Sequence, residues 1–171
     1  AANCASTVSE AETYVGRRSE PGQWEDSTWL TAMLGRALPA SDFILAQHLL
    51  QIEARRLAAL YRDYDVVLTP TLAGPPVSIG ALDPPPLEAF GLELVARTNV
   101  SALTRLPHAI RRVASRTLSW IPFTPVANFT GQPSMSVPLC WNEDGLPIGT
   151  MFTARFGDEA VLFRLAAQLE H

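Results

Sequence analysis

The chain has 171 residues, 47% of them apolar, and a formal net charge of −4. That length suits one domain or part of a larger one, the apolar share is ordinary for a globular protein, and the acidic balance leaves no electrostatic footprint for nucleic acid. No apolar run approaches the roughly 18 residues of a membrane span, and all 13 basic residues are arginines, so no lysine base, Schiff base or phosphate-loop lysine can come from this chain.

Residues Ala1 to Val15 read as a helix, with Gly16 as its C-cap. Ser19-Glu-Pro-Gly22 is a turn, and Ser27 or Thr28 is expected to cap a helix running to about Ala37. A longer helix is expected from Pro39-Ala-Ser41, with Ser41 as N-cap, to about Arg62. Its Ala46, Leu49, Leu50, Leu57, Leu60 and Tyr61 fall on one face at 3.6-residue spacing.

The period then changes. Val66 to Thr69 is a short β-branched run stopped by Pro70, which predicts a buried strand. The stretch 72–86 is rich in proline and glycine and is expected to be a long loop. Residues 87–99 are predicted helical. The stretch 101–119 is ambiguous, because Pro107 interrupts it, and Arg111, Arg112 and Arg116 read as a solvated face.

Met135, Val137, Leu139 and Trp141 alternate with Ser134, Ser136, Pro138 and Cys140, a period of two that predicts a strand. Pro138 has no N–H to give a ladder, so an unpaired position or bulge is expected there. Asn142-Glu-Asp-Gly145 is a turn, and Ile148 to Ala154 returns as the second arm of an antiparallel hairpin. A last helix follows Asp158 as N-cap, with Val161, Leu162, Leu165, Ala166 and Leu169 as its buried stripe. The coarse segmentation is therefore 1–63 helical, 64–71 strand, 72–86 loop, 87–119 helical and 120–171 hairpin plus terminal helix.

The chain is poor in reactive constellations. His48 lies mid-helix, and His108 and His171 have no motif around them. No serine sits in a G-x-S-x-G elbow. A hydrolase of another kind would need His48 or His108 beside a serine or Cys140 in the folded chain. Cys4 and Cys140 form neither a disulfide framework nor a metal motif, so no metal or cofactor is expected and a cytoplasmic setting is. Cys140 reads as a small buried strand residue. Trp24, Trp29, Trp120 and Trp141 read as core more than pocket. Ser134 and Ser136 read as packing, and Asn128 as a structural hydrogen-bonder. Asn99-Val-Ser101 and Asn128-Phe-Thr130 match glycosylation sequons that carry no weight alone. Ala1 opens inside a helix, and Leu169-Glu-His171 reads as native or as the start of a histidine tag. Both ends read as cut, and the expectation is a fragment.

Pro125-Val-Ala-Asn128-Phe-Thr-Gly131-Gln132-Pro133, then Ser136-Val137-Pro138, then Asp144-Gly-Leu-Pro-Ile-Gly149, then Asp158-Glu159 before an apolar helix, resembles the C-terminal part of the amidase signature family. "YDVVLTPT" (Tyr64 to Thr71) is similar to a strand of that family, and the Pro-rich loop after it agrees. Ser27-Thr28-Trp29 and the helix before the strand resemble the branch of the 6-aminohexanoate cyclic dimer hydrolases and related bacterial amidases.

The resemblance implies an α/β fold: the C-terminal part of a mixed β-sheet covered by helices, belonging to one amidase domain. It implies a parent enzyme that hydrolyses the C–N bond of a small-molecule linear amide through a Ser–cis-Ser–Lys triad held upstream, with the oxyanion on backbone N–H groups. This chain carries no lysine and no Gly-Gly-Ser-Ser run, so it supplies no catalytic residue and is expected to be inactive alone. What it offers is one wall of the substrate pocket, with Trp120, Phe123, Thr124 and Asn128 as candidates. The implied partners are the missing N-terminal amidase portion and, in its absence, a second copy in a homodimer. A stand-alone, non-catalytic, amidase-derived binding protein is the alternative.

Overall fold

The computed structural model describes residues 1–83, 91, 93–94, 115 and 118–170. The expected helix at 87–99, the stretch 101–119 and its arginines fall almost wholly outside the described residues. The chain divides into two compact units, one built on Ala1–Ile44 and the other on Leu45–Ser78 with the chain from Ser115 onward.

The first unit rests on a helix pair. Helix α1 spans Ala2–Val15 and ends at Gly16, whose φ of 72° is the left-handed cap geometry that glycine adopts without strain. Helix α2 spans Asp26–Ala37. Ala5 and Val8 of α1 and Trp29, Leu30, Ala32 and Met33 of α2 make one buried cluster, with Cys4 and Trp24 packed on its edge. Three- and four-residue spacings on both helices produce that seam. The start of α2 differs from expectation. Glu25, not Ser27 or Thr28, flanks the helix, and the Glu25 carbonyl accepts the Trp29 N–H at 2.9 Å. Asp26 in the first turn favours that earlier start through the helix dipole.

Helix α3 spans Ala40–Ala58, and a short 3-10 turn follows at Leu60–Arg62. Ser41 is inside the helix rather than capping it. The Pro39 carbonyl accepts the N–H groups of Asp42 and Phe43 at 3.1 and 3.2 Å, so the first turn closes one residue before Ser41. Tyr61 is buried, but the apolar stripe on α3 is not covered: Leu50 is 40% and Leu60 45% exposed.

The second unit holds a three-stranded antiparallel sheet, ordered β1-β3-β2, from β1 (Val66–Pro70), β2 (Ser134–Trp141) and β3 (Pro147–Ala154). β3 is the middle strand, which corrects the expectation of a buried first strand. β1 lies at an edge, and its Leu68 is 60% exposed. Between β2 and β3 the register shifts from Pro138↔Gly149 to Cys140↔Ile148. This is the irregularity that proline forces, because it has no N–H for the ladder. The bulge also ends the alternation. Met135 and Val137 pack on the core, whereas Leu139 is exposed and Trp141 is 62% exposed. Cys140 is exposed as well, not buried as expected. The turn at 142–145 is organised by the Asn142 Oδ1, which accepts the N–H groups of Asp144 and Leu146 at 3.1 and 2.8 Å.

Phe152, Ala154 and Leu162 form the core of this unit, with Val66, Met135, Val137 and Leu165 against it. Leu162 and Leu165 come from the last helix, Glu159–Leu169. Asp158 precedes that helix as expected but makes no side-chain cap bond. Only Leu162 of the expected stripe is fully buried.

Candidate functional site

The segment from Trp120 to Gln132 contains a helix that the sequence reading passed over. α4 spans Thr124–Thr130, with Pro125 in its first turn and Gly131 after its end. Proline fits there because a first-turn N–H has no intrahelical partner, and Gly131 ends the helix at φ 73°. The last element is then α5 (Glu159–Leu169). The pairing of an early proline with a following glycine was the available sign of α4.

At about 100° per residue, α4 puts Thr124 and Asn128 on one side and Val126, Phe129 and Thr130 on the other. Val126 and Phe129, with Leu50, Ala54, Leu57 and Leu60 of α3 and its following turn, line an apolar groove of about 500 Å³. A Glu53–Arg56 ion pair of 2.7 Å lies at its rim.

The four expected wall residues do not line this groove. Trp120 is half-buried at the loop after β1: its carbonyl accepts the Ala73 N–H at 3.0 Å. Gly74 lies under the Trp120 ring, where a built Cβ would be 3.4 Å from the indole. Phe123 precedes α4 and Thr124 opens it, both half-buried. Asn128 is exposed on the Thr124 side. The segment therefore brings Trp120 to the β1 loop and puts Thr124 and Asn128 on a shared helix side.

The sheet has two unlike faces. One is the apolar face under α5. On the other, hydroxyls pair across the strands: Ser134 with Thr153 at 2.8 Å and Ser136 with Thr71 at 2.6 Å. Ser134 and Ser136 are thus cross-strand hydrogen-bonders as well as packing residues. Thr71 N–H also donates to the Gly149 carbonyl at 3.1 Å. The Thr69 hydroxyl on this face is buried without a partner among the described residues. A serine becomes a nucleophile when a base takes its proton. Here the partner of each serine is another hydroxyl, so these pairs hold strands together.

The other reactive groups do not converge either. His48 is exposed on α3, Cys140 is exposed on β2, and neither makes a side-chain hydrogen bond among the described residues. His108 and His171 lie outside the described residues. No group of three His, Cys, Asp or Glu gathers among the described residues.

One perturbed group lies close to the motif segment. Burial pushes the Tyr61 phenol above its ordinary pKa, and the Gln132 side chain partly offsets that. Gln132 itself donates from Nε2 to the Ala154 carbonyl at 2.9 Å and accepts the Thr130 hydroxyl at 3.0 Å. The sequence reading missed this role. The Gly-Gln-Pro motif places a long amide directly after a helix-ending glycine.

Comparison with known proteins agrees with the motif reading. The sequence profile described as Amidase matches residues 2–163. AmiC of Mycobacterium leprae (strain TN), which carries an amidase name, is 39% identical over 116 residues, 68% of this chain and 20% of its own length. Its namesake in Mycobacterium bovis is 33% identical over 156 residues, 91% of this chain and 28% of its own length. Among solved structures, 6-aminohexanoate cyclic dimer hydrolase superposes with a TM-score of 0.74 at 25% identity, covering 99% of this chain and 32% of that one. The chain thus spans between a fifth and a third of the length of these relatives. The α/β character expected from the sequence agrees with that superposition.

Proposed function

Because this chain belongs to the amidase family, we propose that it is the C-terminal portion of an enzyme that hydrolyses the C–N bond of a small-molecule amide. The product pair is a carboxylate and an amine or ammonia. In this reading a serine upstream of the chain attacks the carbonyl carbon, a second serine in a cis peptide relays its proton to a lysine, and water then releases the acyl group. The chain itself has no lysine. The sheet serines Ser134 and Ser136 pair with threonine hydroxyls, and the exposed Ser6 and Ser41 with neighbouring carboxylates. The family match along nearly the whole chain, joined to this missing chemistry, carries the proposal.

The part assigned to the chain is scaffold and wall. The matched residues 2–163 take in most of both compact units, which supports assigning them to a single amidase domain. Trp120 at the β1 loop, Phe123 just before α4, and Thr124 and Asn128 on α4 are the residues we assign to a substrate-pocket wall. The α3–α4 groove and its exposed Leu50, Leu60 and Phe129 support a further polypeptide portion covering this face; without it, we assign the face to self-association. No described helix is long and apolar enough to cross a membrane. We place the enzyme in the cytoplasm on the basis of its two unpaired cysteines.

The test is amide turnover. The 171-residue chain should release no aniline from an aryl amide above the buffer rate, whereas a polypeptide extended upstream to include a Gly-Gly-Ser-Ser run should release it. Turnover by the chain alone would refute the assignment.

A further inference from the structure

The loop after β1 meets the segment before α4 at one close approach. The Ala73 N–H donates to the Trp120 carbonyl at 3.0 Å. The next residue, Gly74, lies under the Trp120 ring: a built Cβ would stand 3.4 and 3.5 Å from the indole Cζ3 and Cη2. Both residues belong to the second unit.

Glycine at 74 is a matter of room and not of backbone. Gly74 does not have the left-handed φ that glycine adopts more readily than other residues. A methyl group at 74 would meet the ring at ordinary contact distance, and a longer side chain would press on it. The loop has little freedom to give way. On one side the Ala73 N–H ties it to the Trp120 backbone. On the other, Pro75 and Pro76 have fixed φ, and Pro75 keeps a residue bearing a Cβ at 74 in extended backbone. The half-buried Trp120 side chain can turn about its own χ angles, so a side chain at 74 moves the ring before it moves the loop.

We propose that Gly74 is a positioning residue that sets where the Trp120 ring stands, and through the ring how the acyl or aryl group of the amide packs. This rests on the reading of Trp120 as part of the substrate-pocket wall. An indole offers a large apolar body with preferred contact geometries, so a displaced ring changes which groups fit against it. A wall remote from the reacting bond holds substrate and transition state alike. Its displacement therefore raises KM and leaves kcat in place.

The experiment is a double-mutant cycle in the amidase extended upstream through the Gly-Gly-Ser-Ser run. KM and kcat are measured on 4-nitroacetanilide, or on the best substrate of a small-amide panel. Gly74→Ala should keep the parent KM to within about twofold, because its methyl only reaches contact distance. Gly74→Val should raise KM about threefold or more, with kcat within about twofold of the parent. In a Trp120→Ala background, Gly74→Val should add nothing further, since the ring it displaces is gone. Three results would overturn the proposal: a parent KM in Gly74→Val, an undiminished effect without the Trp120 ring, or a fall in kcat at unchanged KM, which marks lost protein and not a moved ring. An extended parent that hydrolyses no amide of the panel overturns the amidase reading and this assignment together, whereas turnover with an unmoved KM overturns this assignment alone.

Discussion

The Gln132 side chain donates from Nε2 to the Ala154 carbonyl at 2.9 Å, while the Ala154 N–H donates to the Pro133 carbonyl at 3.0 Å. Two consecutive residues of the Gly-Gln-Pro motif thus satisfy both backbone groups of one fully buried residue. Ala154 also pairs with Val66 of β1. The motif therefore ties the end of α4 to the central strand and, through it, to the edge strand.

Gln132→Ala should leave the buried Ala154 carbonyl without its donor, a loss of about 1–3 kcal/mol. Urea unfolding of both proteins gives the comparison. A midpoint shift equivalent to less than about 0.5 kcal/mol, the range of ordinary surface changes, would show that the motif is not a clasp.

Gly149 carries a different constraint. A built Cβ there would lie 2.8 Å from both the Ser136 and Thr71 hydroxyl oxygens and 3.2 Å from the Thr71 Cβ. Gly149→Ala should therefore separate the Thr71–Ser136 pair and destabilise the sheet by about 1–3 kcal/mol, as overpacking does. Thermal unfolding reads this directly. A melting temperature equal to that of the parent chain would contradict the close packing.

Glu12 and Tyr61 give opposite pH dependences. The Ser19 backbone N–H holds the Glu12 pKa below the ordinary carboxylate range, with Arg36 adding to it and burial opposing it. A depressed folded pKa means that the unfolded chain binds protons first, so Glu12 stabilises the fold above its unfolded pKa. That contribution fades as pH falls through the folded value. Glu12→Gln should accordingly flatten the acid side of a stability–pH curve measured by denaturant unfolding. An unchanged acid slope would count against the Ser19–Glu12–Arg36 junction.

Tyr61 works the other way. Its raised pKa means that its contribution is full below the unfolded phenol pKa and is lost as pH rises through the folded one. Tyr61→Phe should flatten the alkaline limb, and an alkaline slope identical in both proteins would contradict the burial of the phenol.

Sequence periodicity made the hairpin legible because β2 alternates up to Pro138, which announces its own bulge, and the Asn142–Gly145 turn marks the return into β3. It made α1 legible because Gly16 caps it. It failed where exposure depends on what lies next to an element. The α3 stripe has the period of a buried face, yet Leu50 and Leu60 are open at a groove. β1 has a core composition but lies at an edge. α4 was hidden because seven residues are too few for a helical period to register, although Pro125 and Gly131 marked its ends. The wall candidates were named from resemblance. Geometry separates Trp120, at the β1 loop, from Thr124 and Asn128 on α4, a distinction that no spacing rule contains.

The central claim is that this chain is scaffold and pocket wall for chemistry carried elsewhere in an amidase. The most direct measurement is release of 4-nitroaniline from 4-nitroacetanilide, followed for the 171-residue chain and for the same chain extended upstream through a Gly-Gly-Ser-Ser run. The account predicts release only by the extended protein. Release by the 171-residue chain alone, or its absence across a panel of small amides for the extended protein, would contradict it.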